Sequence, residues 1–484
     1  MKILFVCAEL APYVTAGGLG DVARALPRAL LAQGHDVRLA LPCYKRLPAE
    51  MTGKHFCLVV ADMGAKTSHG AMRVSTFPET DAPMYLIEHE GYFGREHLYG
   101  DGANEYEDNA ERFCFFCLGV LHGVAQTGWR PDVVHCHDWH TAAMPAFIKT
   151  RVAHTPAWRG MPTLYTIHNL AYQGRYKAKY LPFTGLSPNL FTPECLEFCG
   201  DLNLMKAGIA FASRINTVSP TYAEEIQTPR FGEGLEGFLR TRTKSLSGIL
   251  NGVDYDVWNP AKDSLIPAKY SRADLAGKKT CKKALQKAFG LPVKDVPVMG
   301  MVSRLYWQKG IDLVMEALPE LLKMDLQLII LGTGDPKFEK ALQEATKVHS
   351  NKMSAAVRFD IELSHLVEAG SDFFLMPSHF EPCGLSQLYS LAYGTIPVVR
   401  KTGGLADSVR HISEANLRTE RATGIVFKEE TPEAVVSAVR QALELYKSKN
   451  TLREVQATGM SMDFSWYSSA EAYGRLYRQA MIRP

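Results

Sequence analysis

Short apolar runs alternate with longer amphipathic stretches along the whole chain. In the first half the runs are KILFVCA from Lys2, HDVRLAL from His35, DVVHCH from Asp132, TLYTIHN from Thr163 and RINTVSP from Arg214. The same spacing returns with PVMGMVSRL from Pro297, LQLIILG from Leu326, FFLMPS from Phe373 and IPVVRK from Ile396, each followed by helix-like sequence. Runs of this length read as strands buried on both faces, and strands alternating with helices predict parallel sheets joined by right-handed crossovers. Two such series predict an α/β protein of two doubly wound, Rossmann-like domains. The boundary falls near SGILNGVDYDVWNP, Ser247 to Pro260, where Asn-Gly and Asn-Pro steps punctuate the chain. After the second series, Trp466, Tyr467, Tyr473, Leu476 and Tyr477 recur at helical spacing, an apolar face that could pack back on the first domain.

Composition narrows the class. A chain of 484 residues has room for two or three domains and a large core. Lys plus Arg total 54 against 51 Asp plus Glu, a net charge of +3 on a chain that is 46% hydrophobic, which excludes a disordered chain and a polyanion-coating one. Nucleic acid is therefore not an expected partner. The ten cysteines lie far apart and suit free thiols in a reducing compartment, so a cytoplasmic location is expected. The apolar run after Lys2 is interrupted by Glu9, too early for a signal peptide, and no run reaches the roughly 18 apolar residues of a membrane span.

Candidate chemistry begins with an internal echo, TAGGLGDV from Thr15 against KTGGLADSV from Lys401. Glycines between a strand and a helix let backbone amides approach an anion, and an ordinary strand-to-helix turn is the alternative for either copy alone. One copy per domain, Gly17-Gly18 and Gly403-Gly404, predicts a phosphorylated ligand in a cleft at the carboxyl ends of the strands. SRLYWQKG places Arg304 and Lys309 after a strand, where they are either solvated cations or a clamp for a diphosphate. HFEPCGLSQLYSLAYG places Glu381 at a strand tip before a helix from about Leu385, as a helix cap or as an acceptor for sugar hydroxyls, with the Gly384 and Leu385 amides toward phosphate. Cys383 has no adjacent base and is not read as a nucleophile. HCHDWH, with Cys114, Cys117, Cys195 and Cys199 elsewhere, invites a metal reading, but FCFFCLGV is apolar at helical spacing and no metal site is expected. Asp254-x-Asp256 reads as a turn.

Together these residues resemble bacterial glycogen synthase and plant starch synthase, retaining glucosyltransferases of the glycosyltransferase-B fold. The resemblance runs nearly the whole chain, through AGGLGDVARALP, HCHDWHTAAMPAF, TIHNLAYQG, MKAGIAFASRINTVSPTYAEEI, ILNGVDYDVWNP, VSRLYWQKGIDL, FEPCGLSQLYSLAYGTIPVVRKTGGLADSV and the Trp-Tyr terminal helix. It implies an acceptor-side domain at 1–250, rejoined by a helix at 461–484, and a nucleotide-sugar domain at 251–460. It implies transfer of glucose from ADP-glucose to the non-reducing 4-hydroxyl of an α-1,4-glucan with retention, without metal or cofactor. On matching positions Gly18, Arg304, Lys309, Gly384 and Leu385 would hold the diphosphate, and Asp138, His168 and Glu381 would surround the transferred glucose. Phe359 would lie against the adenine, Gly403, Gly404 and Leu405 would complete the donor loop, and Thr15, Gly17, Asp21, Asn251, Cys383 and Tyr389 fall among substrate-binding positions.

One position departs from the family pattern. Where the first glycine pair is usually preceded by Lys-x, this chain has Thr15-Ala16, and the expected cation is missing. Weaker donor binding with the same reaction is the expectation. The alternatives are the same transfer from UDP-glucose, or a glucan-binding homologue impaired in catalysis, against which Arg304, Lys309, Glu381, Asp138 and His168 all stand in place. A nicotinamide-dependent oxidoreductase is disfavoured, because neither glycine loop has the G-x-G-x-x-G spacing.

Overall fold

The computed structural model describes residues 1–101 and 104–482. The chain divides into two compact units. Unit 1 comprises Met1–Val218, Ala223–Ile249 and the segment from Trp466, and unit 2 comprises Ser219–Tyr222 and Leu250–Ser465.

Unit 1 is built on β1 (Lys2–Val6), β2 (Asp36–Pro42), β3 (Lys54–Asp62), β4 (Thr67–Thr76), β5 (Pro83–Glu88), β6 (Val133–His137), β7 (Thr163–Ile167), β8 (Arg175–Lys177), β9 (Glu197–Phe198), β10 (Asp201–Asn203), β11 (Arg214–Thr217) and β12 (Leu246–Gly248). Nine of these form one sheet in the order β12-β11-β7-β6-β1-β2-β5-β4-β3, and β8-β10-β9 form a small second sheet. The run β5-β2-β1-β6-β7-β11 is parallel and has the doubly wound order 3-2-1-4-5-6, whose switch point lies between β1 and β6. Every residue of β6 and β7 is buried, which is why both read as unbroken apolar runs. The expectation of purely parallel sheets fails at one edge, where β3, β4 and β5 pair antiparallel. This hairpin has one face on the helix Asn109–Gln126, whereas Phe56, Leu58 and Val60 on β3 are exposed, so its pattern is neither a buried run nor a clean alternation.

The helix Trp466–Met481 belongs to unit 1 and buries Trp466, Tyr473, Leu476 and Tyr477; residues 483 and 484 of the expected returning helix lie outside the described residues. Its two buried tyrosines are anchored by their hydroxyls, Tyr477 to His135 Nδ1 at 2.8 Å and Tyr473 to Asn216 Nδ2 at 3.1 Å. Each buried apolar side chain of this size stabilises the packing by roughly 1.5–3 kcal/mol.

Unit 2 contains β13 (Val298–Val302), β14 (Gln327–Leu331), β15 (Met353–Ala356), β16 (Phe373–Met376), β17 (Ile396–Arg400) and β18 (Ile425–Phe427), all parallel, in the order β15-β14-β13-β16-β17-β18. This is again 3-2-1-4-5-6, with the switch point between β13 and β16. Among the described residues no helix is long and apolar enough to cross a membrane.

Candidate active site

In unit 1 the candidate residues follow β1, β6 and β7, the strands at and beside the switch point. The first glycine pair does not follow β1 directly: a loop intervenes, and Gly17 caps the helix Gly18–Ala32. Within the loop lies Glu9, the residue that ends the first apolar run. Its side chain is buried, with Oε2 accepting from the Ala16 and Gly17 amides at 2.8 and 3.1 Å and from the Thr15 hydroxyl at 3.3 Å, while Oε1 accepts from Tyr99 at 2.8 Å. The Gly17 amide therefore binds an internal carboxylate rather than presenting itself to a phosphate. Burial pushes the Glu9 carboxyl up from its ordinary range, and these hydrogen bonds offset only part of that. Among the described residues no cation pairs with it, and the position expected to hold Lys is Thr15. Asp21 stands exposed in the first turn of the same helix.

Asp138 directly follows β6 with φ of 54°, the left-handed region that a non-glycine residue adopts only when its surroundings enforce it. The enforcing contact is on β7's side: Oδ1 accepts the backbone N–H of His168 at 2.7 Å. Burial pushes the Asp138 carboxyl up to about 7 and the His168 imidazole down to about 3. His168 Nε2 lies 3.0 Å from Nδ1 of His137, a fully buried residue absent from the expected site. Asp138 and His168 are thus brought together by a side-chain to main-chain hydrogen bond at the carboxyl ends of β6 and β7, beside the switch point.

In unit 2 Arg304 follows β13, exposed, and its guanidinium has no partner among the described residues. Lys309 ends the single 3-10 turn Trp307–Lys309, and its Nζ contacts both oxygens of Glu381 at 2.8 and 2.7 Å. Glu381 is not at a strand tip as expected. It lies in the loop after β16 ends at Met376, and that loop is held by side chains. The Ser378 hydroxyl donates to Glu381 at 3.0 Å, and Arg400 donates to the Ser378 carbonyl at 2.7 Å and to the His379 carbonyl. His379 stacks on Trp307 at 4.1 Å and faces Asp312 and Glu430 through its two ring nitrogens.

The second glycine pair has a steric rather than an anion-facing reason. A Cβ at Gly404 would lie 2.0 Å from the Cys383 carbonyl, and one at Gly403, where φ is 41°, would lie 2.0 Å from the Glu381 carbonyl. The Gly404 amide donates to the Glu381 and Pro382 carbonyls at 3.1 and 3.2 Å, and the Leu405 amide to Thr402 at 3.1 Å, so these two amides are engaged within the protein. The glycines seat one loop against the other. Burial pushes the Cys383 thiol up to about 12, which leaves it unreactive.

Gly384, at φ 72°, and Leu385 precede the short helix Ser386–Ala392. On that helix Tyr389 stacks on Trp258 at 3.9 Å, and Trp258 stacks on His365 at 3.9 Å. The Asn251 side-chain oxygen is buried and has no hydrogen-bond partner among the described residues. Phe359 is 84% exposed. Asp254 accepts the Asp256 amide at 3.0 Å, a local turn. Among the described residues no group of three or more His, Cys, Asp or Glu is placed to hold a metal ion.

The starch synthase catalytic domain family model matches residues 2–241, and the glycosyl transferases group 1 model matches residues 282–457. Glycogen synthases of Anaeromyxobacter sp. (strain Fw109-5) and Geotalea daltonii are 47% and 46% identical, each over at least 99% of both chains. Among solved structures, the catalytic domain of starch synthase IV from Arabidopsis thaliana, bound to ADP and acarbose, matches with a TM-score of 0.90 and 33% identity over 100% of this chain and 99% of that one. A sucrose-phosphate synthase from Thermosynechococcus elongatus, 17% identical with a TM-score of 0.59, shares the fold. Identity over the full length and a family model matching each of the two units show that the chain belongs to the glycogen and starch synthase family of glycosyltransferases, acting on a nucleotide-sugar donor and a glucan acceptor.

Proposed function

We propose that the enzyme transfers glucose from ADP-glucose to the 4-hydroxyl at the non-reducing end of an α-1,4-glucan, with retention of configuration and without a metal ion. The observation that carries this reading is the charge arrangement after β13. Lys309 is balanced by Glu381, whereas Arg304 presents a guanidinium with no protein partner among the described residues. An unpaired planar fork is suited to bidentate contact with a diphosphate. Positive charge there stabilises the nucleotide diphosphate as the bond to the sugar breaks. The glucose then has oxocarbenium character, the acceptor hydroxyl attacks from the face the diphosphate leaves, and its proton passes to the departing phosphate oxygen. In this reading Glu381 and His168 hold glucose hydroxyls, and Asp138 lies beside the developing positive charge. His168, held neutral by burial, acts by hydrogen bonding. That the Arabidopsis relative binds ADP supports an adenine nucleotide as the leaving group.

The test compares ADP-glucose and UDP-glucose as donors on a glycogen primer, with the anomer of the new linkage read by proton NMR. A higher kcat/KM for ADP-glucose and an α linkage are expected. Preference for UDP-glucose would overturn the donor assignment, and a β linkage would overturn retention.

A further inference from the structure

The ring of His137 is completely buried, packed against Phe5 at 4.1 Å and His135 at 4.0 Å. Its Nδ1 lies 3.0 Å from His168 Nε2, and among the described residues its Nε2 has no hydrogen-bond partner. Burial holds both rings far below the ordinary histidine range, so each carries one ring proton. A hydrogen bond between two neutral imidazoles has one donor and one acceptor, which leaves two arrangements. If His168 donates from Nε2, the proton of His137 must sit on its own Nε2, an N–H buried without an acceptor. If His137 donates from Nδ1, only a bare nitrogen lone pair is left at that position. Buried N–H groups without acceptors are rarer and more costly than under-satisfied acceptors, so the second arrangement holds. His135 does not compete, because its two nitrogens are engaged by Tyr477 and Thr166.

From this geometry we infer that His137 is a positioning residue that fixes the tautomer of His168, so that His168 presents an Nδ1–H donor toward an oxygen of the transferred sugar or its acceptor. The inference rests on the proposed role of His168 at the sugar. The ring of His168 is half-buried and its Nδ1 has no partner among the described residues, so this is the one ring position through which it can act. Asp138 completes the arrangement by holding the His168 main chain. In this tautomer His168 cannot serve as a general base at Nδ1.

The experiment uses the full-length enzyme labelled with 15N-histidine. Two-bond nitrogen–proton correlation spectra distinguish the tautomers, with signals assigned by single substitutions. Both His137 and His168 are expected to be Nδ1–H at neutral pH, and an Nε2–H signal for His168 overturns the inference. His137→Leu removes the donor and is expected to lower kcat about 10²-fold, the scale of one preorganised donor, with donor KM little changed. His137→Asn, whose amide can donate from a similar place, is expected to recover kcat to within about tenfold of wild type. A folded His137→Leu enzyme with wild-type kcat refutes the inference, and if that variant does not fold the wild-type spectrum still decides. His168→Ala separates the two levels of the reading. Wild-type turnover in that variant sinks the role of His168 itself, whereas loss of turnover together with an Nε2–H wild type sinks only the assignment to His137.

Discussion

Lys309→Met isolates the contact on which the unit-2 reading depends. The Lys309 ammonium touches both oxygens of Glu381, with side-chain exposures of 19% and 5%, and Glu381 has one further donor, the Ser378 hydroxyl. Removing one partner of a buried ion pair typically costs about 3–5 kcal/mol, because the other charge is left buried alone. The partial exposure of the ammonium argues for the lower end, about 3 kcal/mol. At about 2–4 °C per kcal/mol for a domain of this size, the unit-2 transition in calorimetry should fall by roughly 6–12 °C. Turnover should fall by about 10²–10³, the cost of one charge-assisted donor at a reacting centre.

The cycle is completed with Glu381→Gln and the double variant. If the pair is coupled as its distances indicate, the double variant carries no isolated buried charge, and its destabilisation should be at least about 1 kcal/mol less than the sum of the singles. Its turnover should stay low, since the groups that meet substrate are gone. Two results would refute the reasoning: additivity within about 0.5 kcal/mol, which would mean that the charges do not depend on one another, or recovery of turnover in the double variant, which would make the pair a structural feature alone.

The remaining expectations separate catalytic from structural roles. Arg304→Ala removes an exposed side chain that has no partner among the described residues, so turnover should drop about 10²–10³-fold while stability stays within about 0.5 kcal/mol, as steady-state kinetics and thermal melts will show. Because the Asp138 carboxyl titrates near 7 and His168 stays neutral down to about 3, kcat should rise with pH through about 7 if the Asp138 carboxylate is the active form, and Asp138→Asn should flatten that limb in a pH–rate profile. Gly17→Ala meets nothing within 4 Å and should melt like wild type, whereas Gly404→Ala drives a Cβ to 2.0 Å from the Cys383 carbonyl and should cost about 1–3 kcal/mol or more in thermal melts. Burial raises the Glu9 carboxyl in the folded state, so its ionisation removes stability as pH climbs from its unfolded value of about 4.3 through the folded one. Thr15→Lys should lessen that loss, raising the melting temperature at pH 8 more than at pH 5, and should lower donor KM; unchanged donor kinetics would detach Thr15 from donor binding.

The strands that position the candidate residues were legible because parallel strands covered on both faces are apolar throughout. β1, β6, β7, β13, β16 and β17 all fall inside the runs read from the sequence. The hairpin β3–β4 was not, because its outer face is open and its inner face leans on one helix, which mixes the two patterns. At the level of side chains, residue type and order marked Lys309 and Glu381 as neighbours in chemistry, but not that they neutralise each other. Nothing in spacing connects Glu9 to Gly17, or His137 to His168, since each contact depends on the path of a loop or the stacking of adjacent strands.

The two glycine loops show how far the same motif can differ in what its glycines do. Read as sequence, TAGGL and KTGGL are copies, each a place for backbone amides to meet an anion. In the structure the first copy already binds a side chain of the protein, the Glu9 carboxyl group, and Gly17 has open space where a side chain would be. The second copy directs its Gly404 and Leu405 amides to carbonyls, and its glycines permit backbone to touch backbone beneath Glu381. Position 15 lies beside the Glu9 carboxyl, where the family pattern has a cation. Thr15 replaces that cation with a single weak hydroxyl contact at 3.3 Å, and the amides of Ala16 and Gly17 are what keep the carboxylate in place. The missing lysine thus bears on the ionisation of the buried Glu9 carboxyl, which the Thr15 hydroxyl touches.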